Sequence, residues 1–353
     1  KTFNVMFAGT GNIGKELFRQ LEREQKNLEE NHQIKINVVG ITNSREMKIF
    51  DNPESDFDLN NNFNTNLQKS DLKEFINSIA SKNLPNLVFV DNTSSEDVVA
   101  AYPLLFNNNI SVVTCNKKGN SSSYEQYSKF KRLAKKNNVS FLYETNVGAG
   151  LPIIKTLNDL WISGDEILKI EAILSGTISY IFNNYVGDKT FAEVVRTAQE
   201  LGYTEPDPRD DLNGMDFSRK MLILGREIGL PLEMSNVNIK DFLPEPCLKA
   251  DSIPAFYEEL EKHEPYFSSF KNEAENSSGK LRLIGVLEDG KINIEVQIVD
   301  ANHPFFGLSG SDNIISFTTS RYKNTPLVVK GPGAGAEVTA AGVFADLVRV
   351  TAQ

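Results

Sequence analysis

The chain has 353 residues, of which 40% are hydrophobic and 24% are charged, and its mean hydropathy is -0.31. This composition excludes a disordered tail, a collagen-like fibre and a membrane bundle, and the length predicts two domains or one large interrupted domain. Lysine and arginine number 37 against 47 aspartates and glutamates, a net charge of -10 that disfavours nucleic acid and anionic membranes as partners. The two cysteines lie far apart in the sequence, which predicts a protein of the reducing cytoplasm without disulfides. No apolar run approaches the roughly 20 residues that a membrane span needs, so none is predicted.

Strands and helices alternate through the first 145 residues. Predicted strands occupy 3–8, 34–41, 86–91, 110–114 and 140–143, and predicted helices occupy 15–30, 71–81, 98–106 and 124–136. Such alternation is typical of a parallel sheet with crossover helices. The Asn- and Asp-rich stretch 51–66 is predicted to be a mobile surface loop inserted into this pattern.

From Leu151 onward the pattern indicates helices mixed with antiparallel strands. Predicted helices occupy 151–161, a stretch ending at 182, 194–201 and 217–229, and predicted strands occupy 167–174, 280–287 and 291–299. Asp289-Gly290 is a typical hairpin turn between the last two strands. The chain closes with a second strand, glycine turn and helix, at 327–330, 331–335 and 338–349.

Gly9, Gly11 and Gly14 form a GxGxxG motif directly after the first strand and before the first helix. The first glycine permits a tight turn, the second lets a pyrophosphate approach the backbone, and the third lets helix pack on strand. Asn12 and Ile13 belong to the same motif, at the helix N-terminus that faces the anion. In this context the motif favours dinucleotide binding over a tight turn without a ligand.

These patterns predict an α/β fold with a Rossmann dinucleotide-binding domain of residues 1–150 plus 331–353. An α+β domain of residues 151–330 is inserted into it and is expected to bind substrate and to form a homodimer.

The end of the second predicted strand indicates which cofactor binds. Sites for NAD usually place a carboxylate at this strand tip, whereas here the chain continues through Asn43 and Ser44 to Arg45. An arginine at this place favours the 2′-phosphate of NADP, with NAD as the other possibility. A solvated Arg45 that contacts no ligand is the alternative.

The densest group of candidate catalytic residues lies in 198–220, which reads AQELGYTEPDPRDDLNGMDFSRK. Asp216 and Lys220 are four residues apart and share a helix face, and Glu205 and Asp211 lie on the proline-containing loop before that helix. A lysine held by carboxylates beside a nucleotide site is a candidate proton donor. A capped helix with a surface ion pair accounts for the same residues.

This segment resembles the signature of the homoserine dehydrogenases. The residues that match it without a gap are Ala198, Gly202, Tyr203, Thr204, Asp207, Pro208, Asp211, Leu212, Gly214, Asp216 and Lys220. Further segments that resemble this family are 92–94, 114–117, 144–152, 174–177 and 331–335. The resemblance covers essentially the whole chain, and the early first strand suits the family layout in which an aspartate kinase precedes the dehydrogenase.

The resemblance implies interconversion of L-homoserine and L-aspartate 4-semialdehyde by NAD(P), in the biosynthesis of threonine, methionine and isoleucine. It implies that Lys220 is the acid/base group, that Lys117 is a second lysine near the reacting oxygen and nicotinamide, and that Asp216 orients the lysine. Glu205 and Asp211 would hold the substrate ammonium group. The resemblance implies further cofactor contacts at Thr93, Lys117 and Gly335.

The resemblance also implies a site for sodium or a similar monovalent cation. The carboxylate of Glu144 and the backbone carbonyls of Val147, Ala149 and Leu151 would surround the ion, since oxygen ligands suit a hard cation. A glycine-rich hinge between domains accounts for these residues equally well.

Three alternatives to a homoserine dehydrogenase are a short-chain dehydrogenase, an aldehyde dehydrogenase and a nucleotide-binding module without catalysis. Tyr127 and Lys131 form the YxxxK pair of short-chain dehydrogenases, although that class has another glycine spacing. Cys115 could be the nucleophile of an aldehyde dehydrogenase that forms a thioester, with a small buried thiol as the structural alternative. A nucleotide-binding module without catalysis would not require the acidic loop and Lys220 together.

Overall fold

The structure, a computed structural model, describes residues 1–55, 57–240 and 242–350. The chain divides into a first unit, Lys1–Gly150 with Ala334–Gln353, and a second unit, Leu151–Gly333. No helix in the described ranges is both long and apolar enough to cross a membrane.

The first unit is built on a seven-stranded sheet with the order β4-β3-β2-β1-β5-β6-β7. The strands are β1 (Thr2–Ala8), β2 (Lys35–Thr42), β3 (Glu46–Glu54), β4 (Gln68–Lys69), β5 (Leu87–Asp91), β6 (Ser111–Thr114) and β7 (Phe141–Leu142). The pairs from β2 through β1, β5 and β6 to β7 are parallel, and their continuous apolar runs suit strands buried on both faces. The strand order reverses beside β1, which places a crevice at the carboxyl ends of β1 and β5.

In the described part of the first unit, seven helices connect these strands. They are α1 (Asn12–His32), α2 (Leu59–Asn62), α3 (Leu72–Ala80), α4 (Glu96–Ala100), α5 (Tyr102–Asn107), α6 (Lys117–Asn120) and α7 (Tyr124–Lys136), followed by a 3-10 turn, Glu144–Asn146. The single helix predicted at 98–106 is in fact the pair α4 and α5. Pro103 lacks an N–H and fits only the first turn of a helix, so a new helix begins beside it.

The prediction of a surface loop at 51–66 is wrong for much of that stretch. Strand β3 extends to Glu54 and pairs antiparallel with β2, and α2 follows shortly after. Phe57 is 1% exposed, and its ring lies 6.3 Å from that of Phe18. The end of β3, residues 51–54, is exposed throughout and reads DNPE, so its composition resembles that of a loop.

The second unit is built on a six-stranded sheet with the order β13-β12-β8-β10-β11-β9. The strands are β8 (Ile167–Ile173), β9 (Val237–Ile239), β10 (Lys280–Glu288), β11 (Lys291–Val299), β12 (Asp312–Thr319) and β13 (Leu327–Pro332). The pairs are antiparallel except for β9 beside β11. The β10–β11 hairpin turns through Asp289 and Gly290, with φ of +50° and +73°, as an Asp-Gly hairpin requires.

Eight helices lie among the residues of the second unit that the structure describes. They are α8 (Ile154–Ile162), α9 (Gly176–Asn184), α10 (Phe191–Glu200), α11 (Arg209–Leu212), α12 (Met215–Glu227), α13 (Glu245–Leu248), α14 (Ile253–Lys262) and α15 (Glu264–Asn276), with a 3-10 turn at Met234–Asn236. Gly285 of β10 allows α12 to approach the sheet, since a Cβ there would lie 2.8 Å from Sδ of Met221.

The last helix, α16 (Ala336–Val350), returns to the first unit and packs beside α1 in the same apolar core. A Cβ on Gly150 would lie 2.3 Å from the Val338 carbonyl oxygen, so this approach requires glycine.

The second unit ends at Gly333, whereas the sequence predicts its end at residue 330. Strand β13 pairs with β12 in the second sheet, so residues 331–333 lie in the second unit and only the helix lies in the first. The alternating burial of β13 is typical of an edge strand and differs from the continuous burial of the parallel strands.

Candidate active site

The GxGxxG motif forms the connection between β1 and α1. Gly9 has a φ of +96°, and a Cβ on it would lie 2.9 Å from the carbonyl oxygen of Asn92. A Cβ on Gly14 would lie 2.1 Å from the Gly9 carbonyl oxygen, so this glycine lets α1 pack on the turn. A Cβ on Gly11 would meet no described heavy atom within 4 Å. The first and third glycines are therefore required by the fold itself, and the second faces open space.

A cavity of about 850 Å³ lies beside this turn, at the carboxyl ends of β1, β2 and β5. It is lined by residues 8–11, 42–46, 70, 72, 92–95, 97 and 98. The predicted cofactor residues in its lining are Gly9, Gly11, Arg45 and Thr93. The remaining ones lie outside the lining: Asn12, Ile13 and Gly14 begin α1, Lys117 begins α6, and Gly335 precedes α16.

Asn43 fixes the turn that carries Arg45. The side-chain oxygen of Asn43 accepts hydrogen bonds from the N–H groups of Arg45 (2.8 Å) and Glu46 (2.9 Å), and its nitrogen donates to Thr10 Oγ1 (3.3 Å). Arg45 is exposed at the cavity. Glu46 also lines this cavity, so a carboxylate lies here although none stands at the tip of β2 itself. The sequence does not indicate this role, because Glu46 follows the turn and begins β3.

Asn92 supplies an unpaired polar group at the same cavity. Both polar atoms of its side chain are inaccessible to solvent and have no hydrogen-bond partner among the described residues. An unsatisfied buried group of this kind costs about 1–3 kcal/mol. Together with the open space at Gly11, this carboxamide fits a ligand that carries both donors and acceptors, as a dinucleotide does.

Two alternative catalytic groups fit the structure poorly. Burial raises the pKa of the Cys115 thiol to about 12, so the thiolate that a thioester mechanism needs is scarce near neutral pH. Tyr127 and Lys131 lie on α7 and are absent from the cavity lining. The Lys131 ammonium instead lies over the rings of Tyr127 (5.6 Å) and Tyr143 (4.6 Å).

Lys220 in the second unit is an unusually buried lysine. It lies on α12, is 8% exposed, and its Nζ atom is 2.7 Å from Oδ2 of Asp216. The same ammonium donates a 2.7 Å hydrogen bond to the carbonyl oxygen of Leu174. The i, i+4 pair predicted from the sequence therefore forms, and a carbonyl from the end of β8 adds a second acceptor.

Asp211 is held by the segment that follows Leu174. The Thr177 hydroxyl, at the start of α9, lies 3.1 Å from Oδ1 of Asp211 and 2.6 Å from the Tyr203 carbonyl oxygen. The backbone N–H of Glu205 donates to Oδ2 of Asp211 (2.8 Å). Burial raises the pKa of the Asp211 carboxyl, and these two hydrogen bonds act in the opposite direction. Residues 174–177 thus contact both Lys220 and Asp211.

The predicted cation segment begins with a buried carboxylate. Oε2 of Glu144 lies 3.4 Å from the Arg349 guanidinium, which also binds Asp346. Gly148 and Ala149 have φ of +74° and +52°, so the backbone turns sharply after Glu144. The described ranges contain no group of three or more histidine, cysteine or acidic side chains that could hold a metal ion.

The reversed strand order, the glycine turn and the cavity beside it define a dinucleotide-binding protein of the Rossmann class. The family model for the homoserine dehydrogenase NAD-binding domain matches residues 9–144, and the homoserine dehydrogenase model matches residues 152–348. The chain belongs to the homoserine dehydrogenase family, which confirms the resemblance seen in its sequence.

Relatives of two layouts match the chain. It is 42% identical over 352 residues to the chloroplastic bifunctional aspartokinase/homoserine dehydrogenase 2 of Arabidopsis thaliana, covering 99% of this chain but 38% of that protein. It is 40% identical over 360 residues to the homoserine dehydrogenase of Schizosaccharomyces pombe, covering 99% and 96%. The chain thus spans well under half of the plant relative.

Solved structures share the fold. A Candida auris protein of unknown function superposes with a TM-score of 0.93 at 35% identity, covering 100% of this chain and 99% of that one. A hyperthermophilic archaeal homoserine dehydrogenase in complex with NADPH superposes with a TM-score of 0.75 at 23% identity, covering 100% and 98%. The predicted α/β fold, with a Rossmann-type NAD-binding domain and a second sheet domain, is confirmed.

Proposed function

We propose that the protein is an NADP-dependent homoserine dehydrogenase, which interconverts L-homoserine and L-aspartate 4-semialdehyde for amino-acid biosynthesis. The observation that carries this proposal is the buried Lys220, paired with Asp216 and linked through residues 174–177 to Asp211. The S. pombe relative bears the name of this enzyme, and the archaeal structural neighbour binds NADPH.

Lys220 would transfer the proton at the substrate oxygen. When bound, the nicotinamide cofactor exchanges a hydride with the carbon that carries this oxygen. In the reducing direction, Nζ of Lys220 gives a proton to the oxygen as it gains negative charge, and in the oxidising direction it takes the proton back. Asp216 and the Leu174 carbonyl hold the ammonium in place. The family resemblance makes Lys117, at the start of α6, the second lysine of this reaction.

Asp211 and Glu205 would bind the substrate ammonium group. Asp211 has a fixed orientation, because both carboxylate oxygens accept hydrogen bonds. Glu205 is exposed on the same loop and has its backbone tied to Asp211. A positively charged amine near these two carboxylates would gain charge-assisted hydrogen bonds.

The cofactor would lie in the cavity of the first unit. The pyrophosphate would approach Gly11 and the N-terminus of α1, with Thr93 and Asn92 in the same lining, and the 2′-phosphate would contact Arg45. Gly335, with a φ of +120°, would form a further backbone contact.

We also propose the monovalent cation implied by the family resemblance. Glu144 would supply a carboxylate, and the turn at Gly148 brings the carbonyls of Val147 and Ala149 into one short segment. Leu151, the first residue of the second unit, would supply the last carbonyl.

A cytoplasmic homodimer is the proposed assembly. Both cysteines are free thiols, as expected in a reducing compartment. Helix α12 packs on the face of the second sheet to which Gly285 belongs. Val286 and its strand partner Glu171 belong to the opposite face, where Glu171 forms an ion pair with Lys169 (2.9 Å). A second copy stacked on that face would give a dimer mass in light scattering. Fusion to an aspartate kinase stays a prediction.

The test of the activity is absorbance at the NADPH wavelength. We expect NADP reduction with homoserine and NADPH oxidation with the semialdehyde, each independent of phosphate. An aldehyde dehydrogenase that uses Cys115 would instead reduce NADP with the semialdehyde and need phosphate, and Cys115→Ser would abolish that reaction. No homoserine-dependent change with either NADP or NAD would overturn the proposal.

A further inference from the structure

Asp91 is a buried carboxylate to which the proposed chemistry gives no role. It is the last residue of β5 and is 0% exposed. Oδ1 accepts hydrogen bonds from the N–H and the hydroxyl of Thr93, at 2.8 and 2.7 Å. Oδ2 accepts from the Tyr102 hydroxyl at 2.6 Å and from the Asn116 side chain at 3.1 Å. All four contacts come from donors, which suits an acceptor-only carboxylate.

Neutral donors stabilise this carboxylate. Among the described residues, the groups that donate to the Asp91 carboxylate are an amide N–H, two hydroxyls and a carboxamide, all of them uncharged. Burial raises the pKa of Asp91, and the hydrogen bonds from Tyr102, Thr93 and Asn116 lower it. A charged group kept inside a sheet domain at this cost needs an explanation beyond packing, because an apolar side chain would fill the same space.

One side of Asp91 fixes the cofactor cavity. Thr93, which binds Oδ1 twice, lines that cavity, and its Oγ1 atom also accepts a hydrogen bond from the N–H of Ser95 (3.2 Å). The methyl group of Thr93 faces the glycine turn, since a Cβ on Gly9 would lie 3.1 Å from it. Asp91 therefore sets the segment that lies against the glycine turn.

The other side of Asp91 fixes the base of Lys117. Asn116, which donates to Oδ2, caps α6 by accepting from the N–H of Lys118 (3.2 Å). The Asn116 nitrogen also donates to the Ser95 carbonyl oxygen (2.9 Å). Lys117 is the first residue after this cap. One carboxylate thus joins the cavity lining to the backbone from which Lys117 extends.

We infer that Asp91 is a positioning residue of the cofactor site, one that holds Thr93 against the cavity and Lys117 at the start of α6. The expected effect on kcat rests on the proposed function, whereas the expected effect on NADPH affinity does not. In Asp91→Asn one carboxylate oxygen is replaced by an NH₂ group of the same size. This group faces either the two donors of Thr93 or those of Tyr102 and Asn116. Because an NH₂ group cannot accept their hydrogen bonds, the donors on that side must move away from residue 91.

The experiment compares Asp91→Asn with Tyr102→Phe. Tyr102→Phe removes one donor to Oδ2 and leaves Thr93 and Asn116 in place, so it is a matched control for disturbance of the buried network. NADPH affinity is measured by nucleotide fluorescence, and kcat and homoserine KM are measured at saturating cofactor. We expect Asp91→Asn to weaken NADPH binding roughly tenfold or more and to lower kcat, with little change in homoserine KM.

Tyr102→Phe should lower the melting temperature while NADPH affinity stays within about twofold of the wild type. The inference is overturned if Asp91→Asn binds NADPH as tightly as the wild type. It is also overturned if both variants lose NADPH affinity in proportion to the fall in their melting temperatures. If Asp91→Asn does not fold, Asn116→Ala removes a donor to the same carboxylate at a residue outside the cavity lining, and it must weaken NADPH binding or lower kcat; normal values of both would overturn the inference. A wild type that binds NADPH but does not turn over homoserine would overturn the proposed function alone, because the binding comparison still decides the role of Asp91.

Discussion

The two units contribute to the proposed reaction by different physical means. In the first unit the cavity is shaped by backbone, through a glycine turn in which Gly9 and Gly14 leave no room for a Cβ. In the second unit the site consists of charged side chains: Lys220 donates to the Leu174 carbonyl oxygen, and Asp211 accepts from the Thr177 hydroxyl. Substitutions at the glycine turn and at Arg45 should therefore alter binding or folding, whereas substitutions at Lys220 and Asp211 should alter turnover of the substrate and its pH dependence.

The largest expected effect lies in the second unit. Lys220→Ala should lower kcat by at least about 100-fold, because a general acid or base contributes roughly 10²- to 10⁴-fold. NADPH affinity should change little, as measured by nucleotide fluorescence. Lys249→Ala is the matched control, since it removes an exposed i, i+4 lysine paired with Glu245. Near-normal turnover in folded Lys220→Ala would make Lys117 the leading candidate for proton transfer.

The next largest effect concerns cofactor choice in the first unit. Arg45→Ala should weaken NADP by about 1.5–3 kcal/mol, the range for a hydrogen bond to a charged group, and leave NAD nearly untouched. Glu46→Gln, one residue further along the same cavity lining, should leave NADP binding unchanged or strengthen it by removing a negative charge. Titrations with both cofactors check this, and equal losses of NADP and NAD in Arg45→Ala would contradict it.

A smaller effect separates the glycines of the turn. Gly11→Ala places a Cβ in open space beside the cavity, so stability should hold while NADPH affinity falls about tenfold, or about 1.4 kcal/mol. Gly14→Ala places a Cβ 2.1 Å from the Gly9 carbonyl oxygen and should lower the melting temperature itself. Thermal unfolding and NADPH titration of both variants distinguish the two roles. A destabilised Gly11→Ala with normal affinity would show that this glycine serves the fold.

The smallest effect is a shift in pH dependence in the second unit. The Thr177 hydroxyl helps to lower the pKa of Asp211, against the larger effect of burial. In Thr177→Val the pKa of Asp211 should rise, so the carboxylate takes up its proton at a higher pH and loses the charge that holds the substrate ammonium. The acid limb of kcat/KM for homoserine should therefore move to higher pH. An unchanged limb would show that Asp211 does not bind the ammonium group.

Local patterns predicted more of the first unit than of the second. The continuous apolar strands, the GxGxxG turn and the 13-residue helix α7 follow from neighbouring residues alone. In the second unit, α14, α15 and β12 were not predicted. The surface loop predicted at 51–66 overlaps the last four residues of β3, which are all exposed and include no large apolar side chain.

The candidate site divides in the same way. The signature around Lys220 indicated the lysine and its carboxylates, and the i, i+4 spacing already placed Asp216 beside it. The acceptor at Leu174 lies 46 residues from Lys220, and Asp91 joins Tyr102 and Asn116, 11 and 25 residues away. Such contacts depend on which strands become neighbours.

The sequence by itself determined the elements whose cause is local: the glycine turn, the Asp-Gly hairpin, the lysine–carboxylate spacing and the family signature. Tertiary structure alone decided that β13 pairs with β12 and that the second unit extends to Gly333, that Glu46 lies at the cavity, and that Asp91 is buried among four donors. The physical reason is that propensity and periodicity act over a few residues. Strand pairing and burial are settled only when distant segments compete for the same partners.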